Sequence, residues 1–136
     1  MSENSRLDPR AIKRVSGPAW EKMRRQFNAV NAALLGVGSD VRGELTTIYI
    51  KYISDAAEAD EPFAVLWVKK STELLLGFSL PEGLTSPHFQ EPPNNLKYGQ
   101  LNRYLLMGVA DEVPDDICTW ATAAHQHVLS KGRTSS

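Results

Sequence analysis

Apolar residues recur along this chain in two rhythms. Trp20, Met23, Phe27, Val30 and Leu34 stand 3, 4, 3 and 4 residues apart, which puts them on one stripe of an α-helix. The pattern predicts a helix over residues 17 to 36. Ser16 is placed to cap it, Pro18 fits its first turn, and Gly36 and Gly38 supply stops. Arg24, Arg25 and Asn28 fall off the stripe and should face water.

The second rhythm is that of strands. Residues 44 to 53 are rich in β-branched and aromatic types and predict one strand, with Ile48, Ile50 and Tyr52 on one face and Thr47, Tyr49 and Lys51 on the other. Phe63 to Val68 and Leu74 to Leu80 flank Lys69-Lys70-Ser71-Thr72, a spacing that suits a hairpin. In the simplest register Phe63, Val65 and Trp67 face Phe78, Leu76 and Leu74 on the core side. Ala64, Leu66, Val68, Leu75, Gly77 and Ser79 then make a second, partly apolar face. A fourth strand is expected over residues 102 to 109, with Tyr104/Leu106 and Leu105/Met107/Val109 both plausible as its inward set. A closing helix opens at Pro114-Asp115-Asp116 and buries Ile117, Trp120, Ala121, Ala124 and Val128, with Gly132 as its stop.

The order predicts an α+β domain, a four-stranded mainly antiparallel sheet with an N-terminal and a C-terminal helix packed on one face. Residues 1–15 read as a basic flexible tail, 16–131 as the single domain and 132–136 as a frayed end. With 136 residues, 42 % of them hydrophobic, the chain can build one ordinary core and not two.

Charge adds little on the whole and something locally. A net charge of −1 gives no overall attraction to nucleic acid or to an anionic surface. The first 25 residues are nevertheless basic. Arg10, Lys13, Arg14, Arg24 and Arg25 are the candidate nucleic-acid contacts, although a solvated helix face is the favoured reading. The single Cys118 forms no internal disulfide, and its simplest role is a small packed thiol. The polar first 15 residues resemble neither a signal peptide nor a spanning helix, so a cytoplasmic protein with no membrane partner is expected.

Chemistry-bearing groups are sparse. Asp55, Glu58, Asp60 and Glu61 crowd one acidic segment, without the ligand offsets or turn glycine of a calcium loop. His125 and His127, two apart on a helix, point about 200° away from each other and cannot chelate together. Residues 81 to 100 are too rich in Pro, Gly and Asn for regular structure, and long loops in compact domains often carry recognition. Within and beside this loop, His88, Phe89, Lys97, Tyr98 and Arg103 are the candidate ligand-binding residues. Leu66, Val68 and Leu75, on the second sheet face, are the candidate interface for a homodimer.

Phe63-Ala64-Val65 before a basic turn, Leu74-Leu75-Leu76-Gly77-Phe78-Ser79-Leu80-Pro81, a proline-bearing loop, Arg103 in a strand, Val113-Pro114-Asp115-Asp116 and Trp120-Ala121 through Ala124 follow one another in a characteristic order. Over roughly residues 26 to 129 this order resembles an uncharacterised bacterial domain family, similar in layout to the YdhG-like family, which has been likened to frataxins. The resemblance implies the α+β fold and supplies no catalytic residues. Frataxin-like iron handling would need an acidic ridge on the first helix, whose exposed face here is basic. Only Asp55 to Glu61 could take its place.

No nucleophile beside a base, no phosphate loop and no zinc-ligand spacing is present. The sequence therefore predicts a small non-catalytic binding or interaction module needing no cofactor, with no catalytic or metal residues assigned. A nucleic-acid accessory domain and frataxin-like metal handling are the alternatives.

Overall fold

The computed structural model describes residues 7–55, 62–81, 83, 84, 86–90 and 101–134. Its elements run α1 (Pro9–Arg14), a 3-10 turn (Pro18–Trp20), α2 (Arg24–Leu35), β1 (Val41–Thr46), β2 (Tyr49–Ser54), β3 (Ala64–Lys70), β4 (Glu73–Phe78), β5 (Arg103–Gly108) and α3 (Ile117–Thr134). The five strands form one antiparallel meander in chain order.

The expected α+β class holds, with one strand more than anticipated. The stretch expected as a single strand is a hairpin in which Thr46 pairs Tyr49 across Thr47 and Ile48. Thr47 has φ 49°, in the left-handed region where Gly is the usual occupant of a two-residue hairpin turn. A β-branched residue there gives no warning in the sequence.

The helical stripe behaves as its spacing requires. Trp20, Met23, Phe27, Val30 and Leu34 are all buried in the main core, although the helix is broken into the 3-10 turn and α2. The same core takes Ile117, Trp120, Ala121, Ala124 and Val128 from α3, and Ile50, Tyr52, Leu66, Leu74, Leu76 and Met107 from one face of the sheet. The helices thus cover one face. Tyr52 is wholly buried, its hydroxyl donates to Asn31 Oδ1 on α2 at 2.9 Å, and burial pushes its pKa upward.

The β3–β4 hairpin corrects the expected facing. Lys70 pairs Glu73 across a two-residue turn, but the register shifts by one between Trp67 and Lys70, so that Trp67 pairs Leu75 and Leu66 pairs Leu76. One bulged residue exchanges the faces of everything beyond it on that strand. Ala64, Leu66 and Val68 enter the main core, while Val65 and Trp67 move to the opposite face with Leu75, Tyr104 and Leu101. Trp67 lies between Tyr49 and Tyr104, with ring centroids 5.7 and 6.1 Å away. Gly77 makes this closure possible, because a Cβ there would stand 2.7 Å from Leu101 Cδ1 and 3.1 Å from Tyr104 Cε2.

Residues 7 to 15 correct the expected flexible tail. They contain α1 with its caps Asp8 and Val15, and they bury Leu7, Ala11 and Val15. Gly43 admits this arm, since a Cβ on it would be 2.9 Å from Leu7 Cδ1. The expected tail residues 1–6 lie outside the described residues, and α3 continues through Gly132 to Thr134 rather than stopping there. Among the described residues no helix is long and apolar enough to cross a membrane.

Candidate functional site

A sheet presents unpaired backbone groups along its two edge strands, and the two edges here are treated differently. On β1 the N-terminal arm closes the edge. Asp8 N–H donates to Gly43 O at 2.8 Å, Leu45 N–H donates to Asp8 Oδ2 at 3.1 Å, and Arg10 Nη2 donates to Leu45 O at 3.1 Å. The Arg10 side chain, followed by the backbone donors of Arg10 and Leu45, outweighs burial and holds the Asp8 carboxyl down at about 2.

On β5 the closure is incomplete. Gln90 N–H donates to Tyr104 O from outside the sheet at 2.8 Å, so Tyr104, Leu106 and Gly108 turn their backbone groups away from β4 while Leu105 and Met107 bond to it. Gly108 is closed by Asp111, whose carboxylate accepts the Gly108 N–H at 2.7 Å and whose own N–H donates to Gly108 O at 3.0 Å. Between these two plugs, no described residue hydrogen-bonds to the outward N–H and C=O of Leu106.

A cavity of about 260 Å³ opens at this rung, lined by His88, by Leu105, Leu106 and Met107 of β5, and by Asp111, Glu112 and Pro114. Its walls are held from several directions. Buried Gln26 on α2 donates through Nε2 to Val109 O at 2.9 Å and to Asp111 O at 3.0 Å. Phe89 packs on Trp120 at 4.7 Å and His88 on the same ring at 5.8 Å. Asn102 exchanges two hydrogen bonds with the Leu80 backbone at the base of the long loop. Asp111 and Glu112 line it, Asp115 and Asp116 follow them in the chain, and none of these four carboxylates is ion-paired among the described residues.

Of the residues singled out in the sequence, His88 is on the rim of this cavity and Phe89 supports it from behind. Arg103 does not reach it. Its guanidinium donates to Leu84 O and Asn102 O at 3.0 Å each and ties down the loop. Lys97 and Tyr98 lie outside the described residues. The carboxylates and the open β5 edge carry no sequence motif, and the one local signal was Asp111 three residues after Gly108, a spacing suited to an Asp side chain folding back on its own turn.

The other candidate groups are placed elsewhere. Leu66 and Val68 sit in the main core with no exposure, and Leu75 is 3 % exposed beneath the second cluster. They do not form an open patch, because the bulge turned the first two inward and the second face is covered within the chain. Arg14 Nε donates to Val68 O at 2.8 Å, and Arg24 donates to the carbonyls of Val15, Ser16 and Gly17. Of the five candidate nucleic-acid contacts only Lys13 and Arg25 are exposed without a partner among the described residues. Cys118 is exposed rather than packed. Asp55 pairs with Arg42 Nε at 2.8 Å, while Glu58, Asp60 and Glu61 lie outside the described residues. Among the described residues no three of His, Cys, Asp or Glu converge as metal ligands would.

A second polar cluster joins Asp40, Ser54 and His125. The Asp40 carboxylate accepts from the Ser54 hydroxyl and from His125 Nε2, the latter at 2.8 Å, linking the entry to β1, the end of β2 and α3. Burial alone would raise the Asp40 carboxyl, but the donors from Ser54 and His125 outweigh it and hold the group below the usual carboxylate range. The carboxylate stands between hydroxyl and imidazole, whereas nucleophilic catalysis needs the imidazole beside the hydroxyl. The cluster is a stitch between layers.

No family model matches the chain, and no curated protein or solved structure matches it.

Proposed function

We propose that the protein is a small non-catalytic binding module whose recognition site is the β5 edge at Leu106. The observation that carries this reading is the rung at Leu106, open among the described residues. Among the described residues the neighbouring outward positions at Gly43, Leu45, Tyr104 and Gly108 are met by the arm, a loop or a side chain, whereas the outward groups of Leu106, beside the cavity, are not. An open edge is a liability for association, so leaving one rung open between two plugs makes sense when something specific occupies it. The cavity is below the size usual for drug-sized ligands, which favours a short segment or a single side chain over a cofactor.

The basic N-terminal region supports the nucleic-acid alternative less well, since Arg10, Arg14 and Arg24 bond groups of the same chain. Frataxin-like metal handling would rest on an acidic segment of which Asp55 already pairs with Arg42.

An amide-resolved NMR screen of short peptides and small metabolites tests the reading. Saturable shifts at Leu105, Leu106, Met107 and Asp111 to Val113 are expected, and ligands that shift only amides elsewhere would contradict it.

A further inference from the structure

We infer that the occupant of the β5 edge is a short extended segment of a partner protein carrying a lysine or arginine, bound by strand addition at Leu106. This rests on the reading of that edge as a recognition site and names its ligand.

The outward N–H and C=O of Leu106 offer one donor and one acceptor from a single residue. An antiparallel peptide residue returns the same pair, so one residue of the partner satisfies the rung. The plugs at Tyr104 and Gly108 are four residues apart, which is about 13 Å of strand. That length admits about three residues of partner backbone in register with β5. It does not admit the long uninterrupted ladder that two copies of this chain would need to join edge to edge. A second copy is therefore the poorer occupant.

Charge selects the side chain. The segment from Asp111 to Asp116 holds four carboxylates with no ion-pair partner among the described residues, and no lysine or arginine, and two of the four line the cavity. One Asp111 oxygen accepts from Gly108, while Asp111 and Glu112 are exposed residues of the cavity lining, so that their charge meets whatever enters. A cationic side chain beside the rung meets opposite charge, and an acidic one meets like charge. Half-buried Leu106, whose side chain shares the sheet face of a residue paired with it, and Pro114 supply apolar contact for the aliphatic stem of lysine or arginine.

The probe is the acetylated, amidated pentapeptide Thr-Val-Lys-Val-Thr, compared with its analogues carrying norleucine or glutamate in place of lysine, by amide-resolved NMR titration at low and high salt. The lysine peptide is expected to shift Leu105 to Met107 and Asp111 to Val113. It should bind about fivefold more tightly than the norleucine peptide at low salt, with the difference shrinking as salt rises. Glu112→Lys, an exposed position, should reverse the preference toward the glutamate peptide. Leu106→Pro should abolish the shifts for all three, because it removes the outward N–H and no bond to β4. If the three peptides bind the rung equally, the cationic assignment is overturned and the recognition edge stands. If none perturbs Leu106, strand addition is overturned, and the metabolite arm of the screen then decides whether the edge recognises anything.

Discussion

Asp111 closes both outward backbone groups of Gly108, accepting its N–H at 2.7 Å and donating to its carbonyl at 3.0 Å. This one residue ends the exposed edge of β5 and sets one wall of the cavity at Leu106. Asp111→Ala should therefore lower stability by about 1 kcal/mol and speed amide exchange at Gly108, while Leu105 and Met107 stay protected. Exchange-resolved NMR of the variant reads both.

Leu66 lies in the main core with no exposure. Leu66→Ala should cost about 3 kcal/mol, seen as a lower urea midpoint. Leu66→Asp should leave little folded protein by circular dichroism, because a carboxylate would be buried without a partner. A folded Leu66→Asp protein with an altered oligomeric state would instead place this residue at a surface.

Gly77→Val should force Leu101 and Tyr104 away from the outer face, at a cost of about 1 to 3 kcal/mol. Trp67 then loses its cover. A red-shifted, more quenchable tryptophan emission in a variant that retains its far-ultraviolet spectrum is the expected signature.

Acid should unfold the protein through Asp8 and Asp40. Each carboxyl titrates lower in the folded chain than in the unfolded one, Asp8 at about 2. Their contribution is complete above the unfolded value near 4 and is lost as pH falls through the folded value. The urea midpoint should drop steeply below about pH 4. Asp40→Asn should lower the midpoint at neutral pH and flatten that acid limb, so that the two proteins converge toward pH 2.

The periodic parts of this fold were legible because burial imposes periodicity. The stripe from Trp20 to Leu34 and that from Ile117 to Val128 lie where their spacing placed them. The misreadings have local causes. Thr47 and Ile48 turn a hairpin without a turn residue, so two strands read as one. A bulge between Trp67 and Lys70 moved Leu66 and Val68 into the core and Trp67 out of it, and a one-residue shift leaves no mark in the hydrophobic pattern. The long loop pointed to His88, but the cavity depends on which strand ends the sheet and which backbone groups there lack partners. Those are properties of pairing, and no residue type encodes them.

The most direct test is amide hydrogen exchange at Leu105, Leu106 and Met107, measured with and without the lysine pentapeptide. In the free protein Leu106 should exchange fast between two protected neighbours, and it should become protected when the peptide is added. Protection of Leu106 equal to that of its neighbours in the free protein would show the rung already closed and contradict the account.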